Sequence, residues 1–137
     1  VNFTFNQVKY VLYRYNTFRE GTWPDPKPSE KLCSKARFLR AGFEGACEVA
    51  AEIAIRVRRC GLDGMLVEAV FMREDSPRRE SEIARQYHLE VWDVHRRINR
   101  VCAYCEGENA RAEDYQTWLR KNRQTRKVNP VRKLLHL

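Results

Sequence analysis

The sequence predicts an all-α fold of five or six helices with a helix-turn-helix in its second half. Three observations carry that expectation. Apolar residues recur at three- and four-residue spacing in most segments, Pro and Gly fall between those segments, and no stretch shows the strict alternation of a half-buried strand. At 137 residues the chain amounts to one domain, long enough for a real core and short for a typical enzyme.

Taken in order, Val8, Val11, Leu12, Tyr15 and Phe18 place a first helix over Phe5–Glu20, with Gly21 at its C-terminal cap. Pro24, Pro26 and Pro28 then remove backbone donors at alternate positions, which predicts an extended, stiff connection; service as a ligand for a proline-reading groove is the less favoured use. A short helical segment is expected around Lys35–Leu39. A long helix ending near Cys60 follows, with Phe43, Cys47, Ala50, Ile53, Ala54 and Val57 on one face. Its alanines, Ala46, Ala50, Ala51 and Ala54, permit close approach either to the rest of the chain or to a second subunit.

Asp63 is expected to cap a helix carrying Leu66, Val67, Val70 and Phe71. Ser76-Pro77 reads as a cap followed by a first-turn proline, opening a short helix with Ile83, Ala84 and Tyr87 inward. A further helix spans about Glu90 to Cys105, and another carries Tyr115, Trp118 and Leu119. The chain thus divides into an N-terminal helical segment, 1–60, for packing or oligomerisation, a helix-turn-helix unit, 61–119, and a basic tail, 120–137.

Charge narrows the function. The 26 Lys and Arg against 18 Asp and Glu give a formal net charge of +8, which makes polyanions the natural partners, while 43% apolar content argues against disorder of the whole chain. The basic excess is uneven: residues 120–137 hold Arg120, Lys121, Arg123, Arg126, Lys127, Arg132 and Lys133 and no acidic residue. Such a segment supplies several phosphate contacts if it lies along nucleic acid, and is otherwise a solvated tail. No apolar run is long enough for a membrane span, and the Lys and Arg inside the N-terminal apolar stretch do not suit a signal peptide.

Chemistry-bearing constellations are few. Cys102-x-x-Cys105 lacks two further ligands at zinc spacing, and the five cysteines, mostly inside apolar helical patterns, suit reduced, buried thiols of a cytoplasmic protein better than a disulfide framework. No metal and no cofactor is expected. No phosphate-cradling Gly-rich loop, nucleophile elbow or metal-ligand helix accompanies His88, His95 and His136, so an enzyme is not expected.

The segment 61–105 carries a mechanism. Ala84 is the small residue a crossing helix requires, and His88-Leu89 supplies a turn residue tolerant of positive φ followed by an apolar plug. In the helix that follows, Val94, Ile98, Val101 and Cys105 fall on one stripe facing the core. Trp92, Arg96, Asn99 and Arg100 then face outward, with Val91 and His95 at one edge. Arg can donate two bonds to guanine, Asn can pair with adenine, and Val or Trp can contact a thymine methyl, so this face has the chemistry of a base reader.

The run Leu62–Gly107 resembles region 4 of bacterial sigma factors and the sigma-region-4-like domains of phage late-gene regulators, of the lambdoid antiterminator Q type and the RinA/ArpU type. Ile83-Ala84-Arg85-Gln86-Tyr87 matches the family's short first helix, and Val94-His95-Arg96-Arg97-Ile98-Asn99-Arg100 its arginine-rich recognition helix. Glu90 and His88 depart from the family's usual Ser or Thr cap and Gly, Asn or Asp turn residue. The resemblance implies a phage or prophage transcription regulator of late genes, an activator or antiterminator. Trp92, His95, Arg96, Asn99 and Arg100 would enter the major groove beside Val91, Arg85 and Gln86, while Arg78, Arg79 and the basic cluster Arg120, Lys121, Arg123, Arg126 and Lys127 hold phosphates. Expected partners are double-stranded DNA, RNA polymerase and, as in many helix-turn-helix proteins, a second copy in a homodimer. The alternatives are a phage small terminase subunit, a ring-forming DNA-packaging protein, and an interaction module that binds protein or RNA.

Overall fold

A computed structural model of the chain describes the backbone of residues 2–128 and the side chains of residues 2–122. Among the described residues there are nine α-helices and no strand: α1 (Phe5–Tyr13), α2 (Tyr15–Arg19), α3 (Lys35–Arg40), α4 (Ala46–Arg58), α5 (Gly61–Val67), α6 (Glu80–Gln86), α7 (Val91–Cys105), α8 (Asn109–Ala112) and α9 (Tyr115–Val128). The fold is all-α, as expected, with more and shorter helices than the periodicity suggested.

The first expected helix is two. Thr4 opens α1 with a capping box, its Oγ1 accepting from Gln7 N–H while Gln7 Oε1 accepts from Thr4 N–H at 2.9 Å. Arg14, at φ −122°, breaks the run before α2. Gly21, at φ +87°, closes α2 with its own N–H on Phe18 C=O and that of Thr22 on Thr17 C=O. The proline segment is extended only through its first part, because Pro28–Cys33 winds into a 3-10 turn that leads to α3.

Two further expectations are corrected. Asp63 does not cap α5: the helix has already begun at Gly61, and Asp63 is buried within its first turn, where it binds distant side chains. Ser76-Pro77, a cis peptide, opens no helix either. Ser76 Oγ accepts from Arg73 N–H in a turn, and α6 starts only at Glu80. Between them α5 runs into one π-helical turn, Glu68–Met72, whose Ala69, Val70, Phe71 and Met72 are all buried.

A single hydrophobic core runs from Phe3 to Leu119. α4 packs on α2, α5 and α7, and α7 also receives α1, α5 and α6, so it is the central helix. α4 and α5 meet with no room for a side chain, because a Cβ on Gly64 would overlap the Val57 carbonyl oxygen. Arg56, 1% exposed, joins α4 to the far end of α7: its Nη1 donates to Cys105 C=O at 2.7 Å and Gly107 C=O at 3.1 Å, and its Nε to Glu52 at 2.9 Å. Its guanidinium lies over the Phe3 ring, and Phe3 C=O accepts from Gly107 N–H at 2.8 Å, so the chain's start is pinned there too. No helix among the described residues is long and apolar enough to cross a membrane.

Candidate nucleic-acid interface

The site is built on α6, α7 and the turn between them. Ile83 and Ala84 bury the inner face of α6 against α7. The helix stops in a reverse turn: His88 takes φ +57°, its N–H donates to Arg85 C=O at 3.4 Å, and Leu89 N–H reaches back to Ala84 C=O at 2.8 Å. This paired closure lets two helices meet within four residues, and Leu89 drops onto the core as the plug. Glu90 then starts α7 in extended geometry without a side-chain cap.

α7 is sharply two-faced. Val94, Ile98, Val101, Cys102, Tyr104 and Cys105 are buried, which includes the whole expected inner stripe. Val91, Trp92, His95 and Arg96 are exposed, Trp92 at 65%, an unusual position for an indole on a single chain. The Arg96 guanidinium stacks over that indole, 5.6 Å from its centroid. Asn99 and Arg100 differ from the sequence expectation of an outward face. Both are half-buried, in the wall of a groove of about 530 Å³ between α1 and α7, and Asn99 Oδ1 is buried without a partner.

Ion pairs fix the side chains around this face. Asp93 takes both Arg96 and Arg97, the latter at 3.2 Å. Arg97 reaches on to Asp63 at 2.9 Å, and Asp63 also accepts from Tyr115 O–H at 2.6 Å, so one chain of polar contacts ties α5, α7 and α9 together. His95 Nδ1 lies 3.1 Å from Glu80 and links α7 to α6. Of the expected phosphate contacts, Arg78 is half-buried among Asp75, Glu82 and Gln86, whereas Arg79, Arg85, Gln86, Arg120 and Lys121 are exposed. Lys121 pairs with Glu113 at 2.7 Å. The side chains of Arg123, Arg126 and Lys127, and all of 129–137, lie outside the described residues.

The hydrogen bonds from Arg96, helped by Arg97, hold the Asp93 carboxyl below the usual carboxylate range. A carboxylate whose pKa is depressed by folding stabilises the protein above its unfolded pKa of about 3.9 and loses that contribution as pH falls through the lower folded value. Asp93→Asn is therefore expected to melt slightly below the native protein at pH 7. The gap closes as pH drops beneath the carboxylate range, which thermal melts from pH 7 to 2 would register.

The cysteines take no part in this surface. Burial pushes the Cys102 thiol up to about 12, and a hydrogen bond to Cys105 together with burial raises Cys60 further, so these thiols stay protonated in the core. Cys47 is exposed.

Two residues of this surface were not anticipated: Phe5 and Lys9 of α1, which line the same groove as Trp92, Asn99 and Arg100. No local pattern pairs position 9 with position 100. Comparison of the chain with known protein families, with curated proteins and with solved structures finds no match in any of the three.

Proposed function

We propose that this protein binds double-stranded DNA sequence-specifically, laying the exposed face of α7 in the major groove as a helix-turn-helix of the sigma-region-4 kind. The observation that carries the reading is the His88 turn, which sets α6 against α7 while Trp92, His95 and Arg96 stay in solvent beside it. Recognition helices present base-reading side chains from their N-terminal turns, and these three occupy the first two turns of α7. Arg79, Arg85 and the basic C-terminal residues would hold phosphates and set register without reading sequence.

The resemblance over Leu62–Gly107 extends this to a phage or prophage late-gene regulator, an activator or antiterminator that works with RNA polymerase and without catalysis or a cofactor. The reading places the protein in the host cytoplasm, as a monomer or homodimer. Light-scattering mass, measured alone and with a duplex library from which bound sequences are recovered, tests it. One or two subunits enriching a defined site is the expected result. A ring of many subunits with weak sequence preference would replace it with DNA packaging, and preference for single-stranded RNA would replace it with an RNA-binding module.

Within the regulator reading, Arg96→Ala is expected to cost about 1–3 kcal/mol and relax base preference at one position. Deletion of 120–137 should instead weaken all duplexes alike and flatten the salt dependence. A tail deletion that altered sequence preference would refute this division of labour.

A further inference from the structure

The lining of the groove between α1 and α7 includes three permanent cations, Lys9, Arg96 and Arg100, beside the aromatic rings of Phe5 and Trp92, and no carboxylate. Arg96 is already held by Asp93 and stacked on Trp92. Lys9 differs. Its ammonium lies over the Phe5 ring, 4.9 Å from the centroid, and makes no ion pair with any described residue. Its ammonium therefore sits on an aromatic face at the edge of a groove whose lining carries no carboxylate, a setting suited to an anion brought from outside.

We infer that the α1 wall of this groove, opposite the base-reading Trp92, His95 and Arg96, seats a backbone phosphate of the bound duplex, with Lys9 as its cation, so that α1 belongs to the DNA-binding surface; the inference rests on the DNA-binding reading. Distance supports it. Packed helices lie about 8–10 Å apart axis to axis, and the major groove is about 12 Å wide between its phosphate ridges. With α7 in the groove, a helix packed against its side therefore carries its cations to the ridge that borders it. α1 packs against α7 directly, and the loop that pins Phe3 to Gly107 holds it in place. Phosphate contact of this kind adds affinity without reading sequence.

The test uses the full chain and a duplex recovered from the library, with binding followed by fluorescence anisotropy from 50 to 300 mM salt. Lys9→Gln should weaken binding roughly three- to tenfold on specific and random duplexes alike, and reduce the slope of log K against log salt by about 1. Lys9→Arg should restore both, and unchanged circular-dichroism melts would show that the variants fold. If the native chain binds duplex with a clear salt slope and Lys9→Gln leaves affinity and slope unchanged, the phosphate seat is wrong and the DNA-binding reading stands. If the native chain binds no duplex, both fall.

Discussion

Arg56→Ala is expected to lower stability by about 3–5 kcal/mol, the cost of breaking a buried, hydrogen-bonded charge cluster from one side. The carbonyls of Cys105 and Gly107 sit where α7 ends, and a helix end leaves its last carbonyls without intrahelical partners. A cation there also meets the negative end of the helix dipole. Removing it strands the buried Cys105 carbonyl, leaves the half-buried Gly107 carbonyl and Glu52 without their Arg56 contacts and opens a void over Phe3. Arg56→Lys keeps the charge but cannot fork between two carbonyls and a carboxylate, so its loss should be smaller. Urea melts of both variants check this; equal losses would mean that packing volume, and not the donor fork, is what Arg56 contributes.

Gly64→Ala should cost up to about 2 kcal/mol net although alanine is the better helix former. In an open helix the exchange would gain about 1 kcal/mol. Here the new methyl meets backbone, the Val57 carbonyl, with Val57 C at 3.2 Å and Cys60 Cβ at 3.3 Å behind it. A carbonyl in a helix cannot rotate aside, so α4 and α5 have to separate, and overpacking of this kind typically costs 1–3 kcal/mol. Because α5 packs on α7, the displacement would carry into the exposed face as well. A Gly64→Ala protein more stable than the native one would show that the two helices part freely.

Both residues illustrate where sequence reasoning stops. The inner stripe of α7 was legible because Val94, Ile98, Val101 and Cys105 follow from the period of one helix, and the His88 turn because its chemistry is confined to a few neighbouring residues. Arg56 was not: its carbonyl partners lie 49 and 51 positions away. The same distance misled the reading of Asp63. A carboxylate near a helix start looks like a cap, yet its partners Arg97 and Tyr115 are 34 and 52 residues on. Lys9 sits within an aromatic helix that gives no hint of the groove it borders, and the break at Arg14 has no Gly or Pro to announce it. Asn99 fell on the correct side of the helical wheel, but a wheel cannot show that α1 lies against that side.

α7 is held at both ends by polar contacts that reach other helices. Arg56 of α4 grips its Cys105 end, while Arg97 and His95 tie its recognition end to Asp63 of α5 and Glu80 of α6. Fifteen residues at 1.5 Å each make the helix about 22 Å long, so a tilt of about 5° about one hold moves the other end by about 2 Å. That exceeds the tolerance of a bidentate hydrogen bond, so the two holds act as a pair, and loosening either one changes where Trp92 and Arg96 point.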